Sequence, residues 1–297
     1  MAAVTSSTAR SADVPAKVTQ SDIDWRTRWF NAFCTLVLLV FAALWLIPLL
    51  WAGVTSLRPE AEIAANPSSW WTDNWTLEAY RSIFAMGDMQ NWYLNSAVSS
   101  AIAAFLTVVV CSMAGFALSQ TRFAGRRAFM ALLVAGLLLP SEAIILPMFR
   151  EFEALGLLNT YWALVLPIVA CTPMVLVFSV FFSGLPKELS DSARADGAGW
   201  FRIYRQIYLP LSRPIISAVA IFSFVTSWNN FLWPLLVMTN TKMMTIPVGL
   251  VTVQSSFGIR YAQLMASAVL GALPLLIVFL VFQRRIVEGV ATTGIDK

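Results

Sequence analysis

Six apolar runs, each near the length of a membrane crossing, constrain this chain more than any other feature. They lie at about 29–54, 94–118, 128–149, 161–182, 214–238 and 264–282. A membrane helix needs about 20 such residues. The sequence is 58% hydrophobic and only 12% charged over 297 residues, against about 25% charged in an ordinary soluble domain. One core cannot bury that much apolar surface, so the excess faces lipid. The expected class is an all-α membrane protein of six transmembrane helices. The first run exceeds the apolar core of about 7–15 residues in a signal peptide and is read as an uncleaved span. Residues 1–22 are rich in Ala, Ser, Thr and Val and show no periodicity. A cytoplasmic, mostly disordered tail is therefore expected over 1–28, ahead of a membrane domain over 29–297.

Charge orients the spans. With the N-terminus inside, 15 of the 20 Lys and Arg residues fall on the inner side, as the positive-inside rule requires. Both termini are then cytoplasmic. The net charge of +4 comes from basic residues spread between spans, which gives no nucleic-acid surface.

Several chemistries are excluded. There is no histidine, the commonest general base and metal ligand, and Cys34, Cys111 and Cys171 sit far apart inside apolar runs without C-x-x-C spacing. They read as packing residues. No G-x-S-x-G, H-E-x-x-H or G-x-x-x-x-G-K-[ST] occurs, so ATP, if it drives this protein, is bound by another subunit. No catalytic, cofactor or metal site is expected in the chain.

The outer segment 55–93 is the longest loop and carries Pro59, Pro67, Trp70, Trp71, Trp75, Trp92 and Tyr93. Its aromatics suit the headgroup level or contact with an external partner. Pro48, Pro140, Pro147, Pro167, Pro173, Pro234 and Pro274 fall in or near the spans, where each removes a donor and bends a helix.

The inner loop 183–213 has the most pattern. KELSDSARAD at 187–196 reads as a short helix, opened at Pro186 and ended at Gly197. An amphipathic segment, FRIYRQIYLP, returns the chain to the membrane. The small residues Ser192, Ala193 and Ala195 suit insertion into a partner's groove; a solvated connector is the other reading.

Polar groups at membrane depth are the remaining candidates. Trp228, Asn229 and Asn230 lie midway along the fifth run, where adjacent amides must face the bundle or a water-filled path. An amide beside an aromatic ring suits a sugar's hydroxyls and its apolar face; helix–helix hydrogen bonding is the alternative. At helical spacing Asn229 shares a face with Trp233, while Asn230 turns about 100° away. Glu142, near the outer end of the third run, is either a ligand group or a partner of Arg150. Asn95 and Ser96 begin the second run.

The inner loop also resembles a known signature. Permease subunits of bacterial ATP-binding cassette importers carry Glu-Ala-Ala, three residues, Gly, nine residues, Ile-x-Leu-Pro. Here Asp191-Ser192-Ala193, Gly197, Ile207, Leu209 and Pro210 stand at that spacing, with Asp191 and Ser192 departing conservatively. The remaining chain is similar to the carbohydrate-uptake subfamily, on the side of the shorter permease of maltose-type transporters. Segments FAGRRAFM, LGLLNTYWALVLP, SWNNFLWPL, TIPVGL and FQRRIVEGV carry that likeness. The resemblance implies the type I importer permease fold, with a coupling helix between spans 4 and 5. It implies that Asp191, Ser192, Ala193, Asp196, Gly197, Ile207, Leu209 and Pro210 couple to an ATPase. It further implies a homologous permease, two ATPase subunits holding ATP and Mg, and an external solute-binding protein, all at the cytoplasmic (inner) membrane. The cargo implied is a sugar, oligosaccharide, amino sugar or polyol. A glycerol-phosphate importer of the same family and an ATPase-independent secondary transporter are the competing readings.

Overall fold

The computed structural model describes residues 20–85, 88–257 and 260–291, and their regular structure is helical throughout. Residues 1–19 of the expected tail lie outside the described residues, and 20–28 already belong to helix α1 (Gln20–Ser56). The chain divides within α1 into a unit ending at Trp51 and a second beginning at Ala52. In the first unit α1 leaves large apolar side chains such as Trp29, Phe33 and Trp45 exposed. A helix apolar all round belongs in lipid or against another protein.

The second unit contains α2 (Glu60–Ala65) and α3 (Glu78–Ala85) in the outer loop, then α4 (Met89–Gln120). Helices α5 (Arg126–Gly136), α6 (Ser141–Ala154), α7 (Tyr161–Val169) and α8 (Thr172–Ser183) follow. The inner loop forms α9 (Glu188–Ala195), α10 (Trp200–Ile203), a π-turn at Tyr204–Tyr208 and α11 (Leu209–Leu211). The chain closes with α12 (Arg213–Trp228), α13 (Leu232–Val237), a 3₁₀ turn at Thr241–Met243, α14 (Ile246–Phe257) and α15 (Tyr261–Ala291).

Among the described residues three helices, α1, α4 and α15, are individually long and apolar enough to cross a membrane. Helices α7 and α8 form a further crossing bent by 46°, and residues 200–211 with α12 pass the same test bent by 82°. The third and fifth apolar runs are therefore not the continuous helices expected. The third breaks at 137–140 and the fifth after Trp228. Proline explains the break in the fifth run and the bend between α7 and α8. Its ring crowds the carbonyl four residues back and offers that carbonyl no N–H. Four residues before Pro234 is Asn230, inside the break; four before Pro173 is Val169, where α7 ends.

At two prolines inside helices, a neighbour takes up the orphaned carbonyl, as suits a bilayer. Pro167 lies inside α7 and frees the carbonyl of Ala163; the Trp233 indole Nε1 donates to it at 2.7 Å. Pro274 lies inside α15 and frees the carbonyl of Leu270; the Tyr93 hydroxyl donates to it at 2.7 Å.

Helix α4 organises the second unit. It packs on α7, α8, α12 and α14. Between Asn95 and Gly115 its buried side is small or polar: Asn95, Ser96, Ser99, Ser100, Ala103, Ala104, Thr107, Cys111, Ser112 and Gly115. Its exposed side carries Leu94, Phe105 and Met113. That inversion of a soluble helix fits a bilayer, where small residues let backbones approach closely. Two apolar clusters form at its ends. The one at its N-terminal end, on the side expected to be outer, gathers Trp92, Trp228, Trp233, Val237 and Ile246; the one toward its C-terminal end, on the side expected to be inner, gathers Phe116, Phe178, Phe182, Tyr204 and Tyr208. Cys111 and Trp92 are about 28 Å apart along the axis at 1.5 Å per residue.

The outer loop is built rather than loose. Arg58 is 2% exposed and donates to the carbonyls of Ser69 and Asn66 at 2.8 and 3.0 Å. The Asn74 amide and the Thr72 hydroxyl, with Arg58 nearby, hold the Glu62 carboxyl below the usual carboxylate range. Glu60 accepts the backbone N–H groups of Tyr261 and Ala262 at 2.7 and 2.9 Å, capping the start of α15. Trp70, Trp71 and Trp75 stand exposed on this frame.

Candidate functional site

The inner-loop helix forms where its sequence places it. Acidic Glu188 and Asp191 occupy the first turn and Arg194 the last, each favourable to the helix dipole. Gly197 adopts φ +80°. Its N–H donates to the Arg194 carbonyl at 3.0 Å, and the Ala198 N–H to the Ala193 carbonyl at 2.9 Å. This pair of bonds is the Schellman termination, which needs a left-handed residue at that place. Space is not the reason for glycine, since nothing lies within 4 Å of where its Cβ would sit.

Two faces result. Asp191, Ser192, Asp196 and Gly197 are exposed and Ala193 is half-buried, packed against the inner cluster. Ile207 and Leu209 are half-buried against the same cluster, and Pro210 is exposed in α11. Pro210 offers no N–H, and the Ser212 N–H returns to the Tyr208 carbonyl at 3.1 Å as the chain turns into α12.

The anchors of this loop were not among the sequence candidates. Tyr208 is fully buried and donates to the Gln120 side-chain oxygen at 2.9 Å; the Gln120 amide donates to the Phe182 carbonyl at 2.7 Å. Tyr204 pairs its hydroxyl with that of Ser112 at 2.8 Å. Phe116 sits among Phe182, Trp200, Tyr204 and Tyr208, its ring 5.0 to 6.3 Å from theirs. The π-turn at Tyr204–Tyr208 accompanies this arrangement; such turns add one residue to the helical ladder. The loop is thus fastened to the inner ends of α4 and α8. The available sequence signal was the recurrence of Ile203, Tyr204, Ile207 and Tyr208 at helical spacing.

The path candidates are placed differently from expectation. Trp228 ends α12 and is 3% exposed, its Nε1 donating to the Gly271 carbonyl at 3.3 Å. Asn229 is the exposed C-terminal cap of α12 and Asn230 is half-buried in the break. The helical facing of Asn229 with Trp233 does not hold, because the helix stops between them. Trp233 is 5% exposed and committed to the Ala163 carbonyl, so it does not offer the open ring expected for sugar stacking. Glu142 is exposed in the first turn of α6, just past the break at 137–140. It is two turns from Arg150, about 12 Å along the axis, too far for the pairing considered. Asn95 is buried as a brace: its amide donates to the carbonyls of Lys242 and Met244 at 2.8 and 3.0 Å and its oxygen accepts from Tyr161 at 2.8 Å. Ser96 accepts the Ile246 N–H at 2.8 Å.

These placements separate two roles experimentally. Trp233→Phe deletes the indole donor, stranding a buried carbonyl at a cost of about 1–3 kcal/mol, and also gives up part of the ring packed on Phe152. It should lower the melting temperature and yield of the purified protein. In a Pro167→Ala background, where the backbone supplies its own N–H to Ala163, the same change should cost less, since only the lost packing remains. An equal loss in both backgrounds would refute the proline-rescue account. Asn229→Ala, at an exposed cap, should leave yield unchanged and raise the cargo concentration for half-maximal uptake; unchanged uptake would remove it from the path.

Comparison with known proteins agrees with this architecture. Residues 107–291 match the family model described as "Binding-protein-dependent transport system inner membrane component". The arabinooligosaccharides transport system permease protein AraQ of Halalkalibacterium halodurans is 37% identical over 251 residues, covering 84% of this chain and 90% of that one. The diacetylchitobiose uptake system permease protein NgcG of Streptomyces coelicolor is 34% identical, covering 89% of this chain and 88% of its own length. The sn-glycerol-3-phosphate transport system permease protein UgpE of Brucella abortus is 32% identical over 89% of this chain and 96% of its own. Among solved structures, a bacterial ABC transporter involved in the import of the acidic polysaccharide alginate superposes with a TM-score of 0.75 at 19% identity. The match covers 90% of this chain and 98% of the other, a likeness of fold.

Proposed function

The chain belongs to the family of binding-protein-dependent transport system inner membrane components, and from that premise we propose a carbohydrate-importing permease that works with separate ATPase subunits. One observation carries the reading. A short exposed helix, ended by a left-handed glycine, is followed by Tyr204 and Tyr208, which bond to Ser112 and Gln120 of α4, and Gln120 in turn bonds to the end of α8. A force applied to α9 therefore reaches α4 and α12 without passing through a slack segment. In this reading residues 29–297 are the permease domain, crossing the cytoplasmic membrane six times, with α5–α6 and α12–α13 each counted as one broken crossing. A homologous permease completes the path, an external binding protein delivers cargo, and ATP with Mg is held by two partner subunits. The outer and inner gates then open alternately as the ATPase pair closes and separates. Asn229, at a helix break with its amide exposed, is the favoured path residue. The two oligosaccharide permeases among the relatives favour a sugar or oligosaccharide cargo; UgpE keeps a glycerol phosphate as the second reading.

The test is affinity purification of the full chain from its native membrane, followed by labelling of single cysteines. A P-loop ATPase should co-elute, and uptake should require ATP. In a variant lacking Cys34, Cys111 and Cys171, Ser68→Cys should react with an impermeant thiol reagent in intact cells. Ser192→Cys, exposed on α9 of the isolated chain, should react only after permeabilisation, in cells that make the chain without its ATPase subunits. ATP-independent uptake would overturn the importer reading, and the reverse labelling would overturn its orientation.

A further inference from the structure

A cleft of about 730 Å³ opens beside α9, between it and the ends of α4, α5 and α8. Four cations line it, Arg122, Arg126, Lys187 and Arg194, against the single carboxylate of Asp191. Like charges gathered in one concavity repel unless an anion joins them. Arg194 is steadied by the Trp200 ring, 4.8 Å from its guanidinium. A second observation concerns α5. Arg126 and Arg127 open this helix of 11 residues, and no acidic residue occupies its first turn. Cations there oppose the helix dipole, whose positive end favours anions. The turn before it is set by Gly125 at φ +87°. An anion between Arg122 and Arg126 would satisfy both the cations and the dipole.

We infer that this cleft binds the phosphodiester headgroup of an anionic phospholipid. Guanidinium groups match phosphate oxygens in geometry as well as charge, and basic pockets between membrane helices on the inner face take such headgroups. The place favours a lipid over free phosphate. The cleft lies at the ends of membrane-depth helices, and Phe123 and Phe129, next to Arg122 and one turn from Arg126 in sequence, are 45% and 46% exposed, where acyl chains would cover them. A bound headgroup links the end of α4 to α9 and so steadies the loop against the membrane body. The inference rests on the inward orientation of this loop proposed above.

The experiment uses the assembled complex with its ATPase subunits, already shown to import ATP-dependently, and a chain already shown by itself to label inward at residue 192, so that failure of the orientation is detected first. The complex is reconstituted in phosphatidylcholine with or without phosphatidylglycerol, stripped with detergent, and its retained lipid weighed by native mass spectrometry. Phosphatidylglycerol should stay with the wild type. Arg122→Gln with Arg126→Gln should reduce its retention roughly tenfold to thirtyfold, the scale expected for two cations at an anionic surface. Arg122→Lys with Arg126→Lys should retain most of it, and ATPase subunits should co-elute with every variant. Equal retention by the glutamine variant would overturn the site. So would loss of the ATPase subunits in that variant, which would make the cleft a protein-docking surface. Retention of added inorganic phosphate by the stripped wild type in place of phosphatidylglycerol would overturn the lipid as its occupant.

Discussion

Replacing Gly115 with leucine should abolish recovery of folded protein, and replacing it with alanine should lower stability by about 1–3 kcal/mol, the usual cost of overpacking. A Cβ at this position would lie 2.6 Å from the Cβ of Phe178, 2.9 Å from the Ser179 nitrogen and 3.0 Å from the Val175 carbonyl oxygen. Two of those three atoms are backbone, and Phe178 is fully buried against Phe182. No rotamer change relieves the collision; α4 and α8 must separate. Separation would also loosen the Gln120–Phe182 and Tyr208–Gln120 bonds that fasten the inner loop, so the damage should extend to ATPase retention. Gly136→Ala is the control, because nothing lies within 4 Å of its Cβ and alanine is the better helix former. The check is the thermal melting and size-exclusion yield of the three variants side by side. A Gly115→Leu protein as stable as the control would show that the α4–α8 contact does not hold the bundle.

The same crossing shows what the sequence disclosed and what it could not. The long helices were legible because α4 and α15 are nearly continuous apolar composition, which length alone converts into a crossing. The end of α9 was legible because Gly197 acts through its own backbone angle, a local property. The identity of the glycine that matters for packing was not. Gly115 and Gly136 both sit in apolar helical sequence, and only the arrival of α8 distinguishes them. The helix breaks were half legible. Pro234 marked one, but reading Asn229 to Trp233 as a single helical face ignored the carbonyl of Asn230 that the proline ring crowds. Trp233 was then assigned to cargo on aromatic character alone. Its partner, the carbonyl of Ala163, lies 70 positions away, and no local pattern joins them. Tyr204 and Tyr208 were passed over for a related reason. Their partners Ser112 and Gln120 belong to another helix, so the helical recurrence shows that the segment has a buried face but not what that face meets.

Gly197 provides the sharpest test of the coupling role, because its requirement is purely conformational. The site has open space for a side chain, so only the φ of +80° is at issue. A β-branched residue in that region is a genuine outlier, and left-handed backbone costs even an ordinary L-residue about 1–2 kcal/mol. In Gly197→Val the backbone should leave that region, breaking the Gly197–Arg194 and Ala198–Ala193 bonds that end α9. The helix would then lose its fixed exit toward Trp200 while the Tyr204 and Tyr208 anchors stay in place. The expected result is a protein of near-normal yield and melting behaviour that retains little ATPase subunit and has lost ATP-driven uptake. Asparagine tolerates left-handed backbone best among the other residues, so Gly197→Asn should keep most of both activities. This second variant separates the backbone angle from the mere presence of a side chain. Wild-type ATPase retention and uptake in Gly197→Val would remove α9 from the coupling path. Equal loss in Gly197→Asn and Gly197→Val would instead mean that a partner surface closes over this position, and that glycine is needed there for space rather than for its conformation.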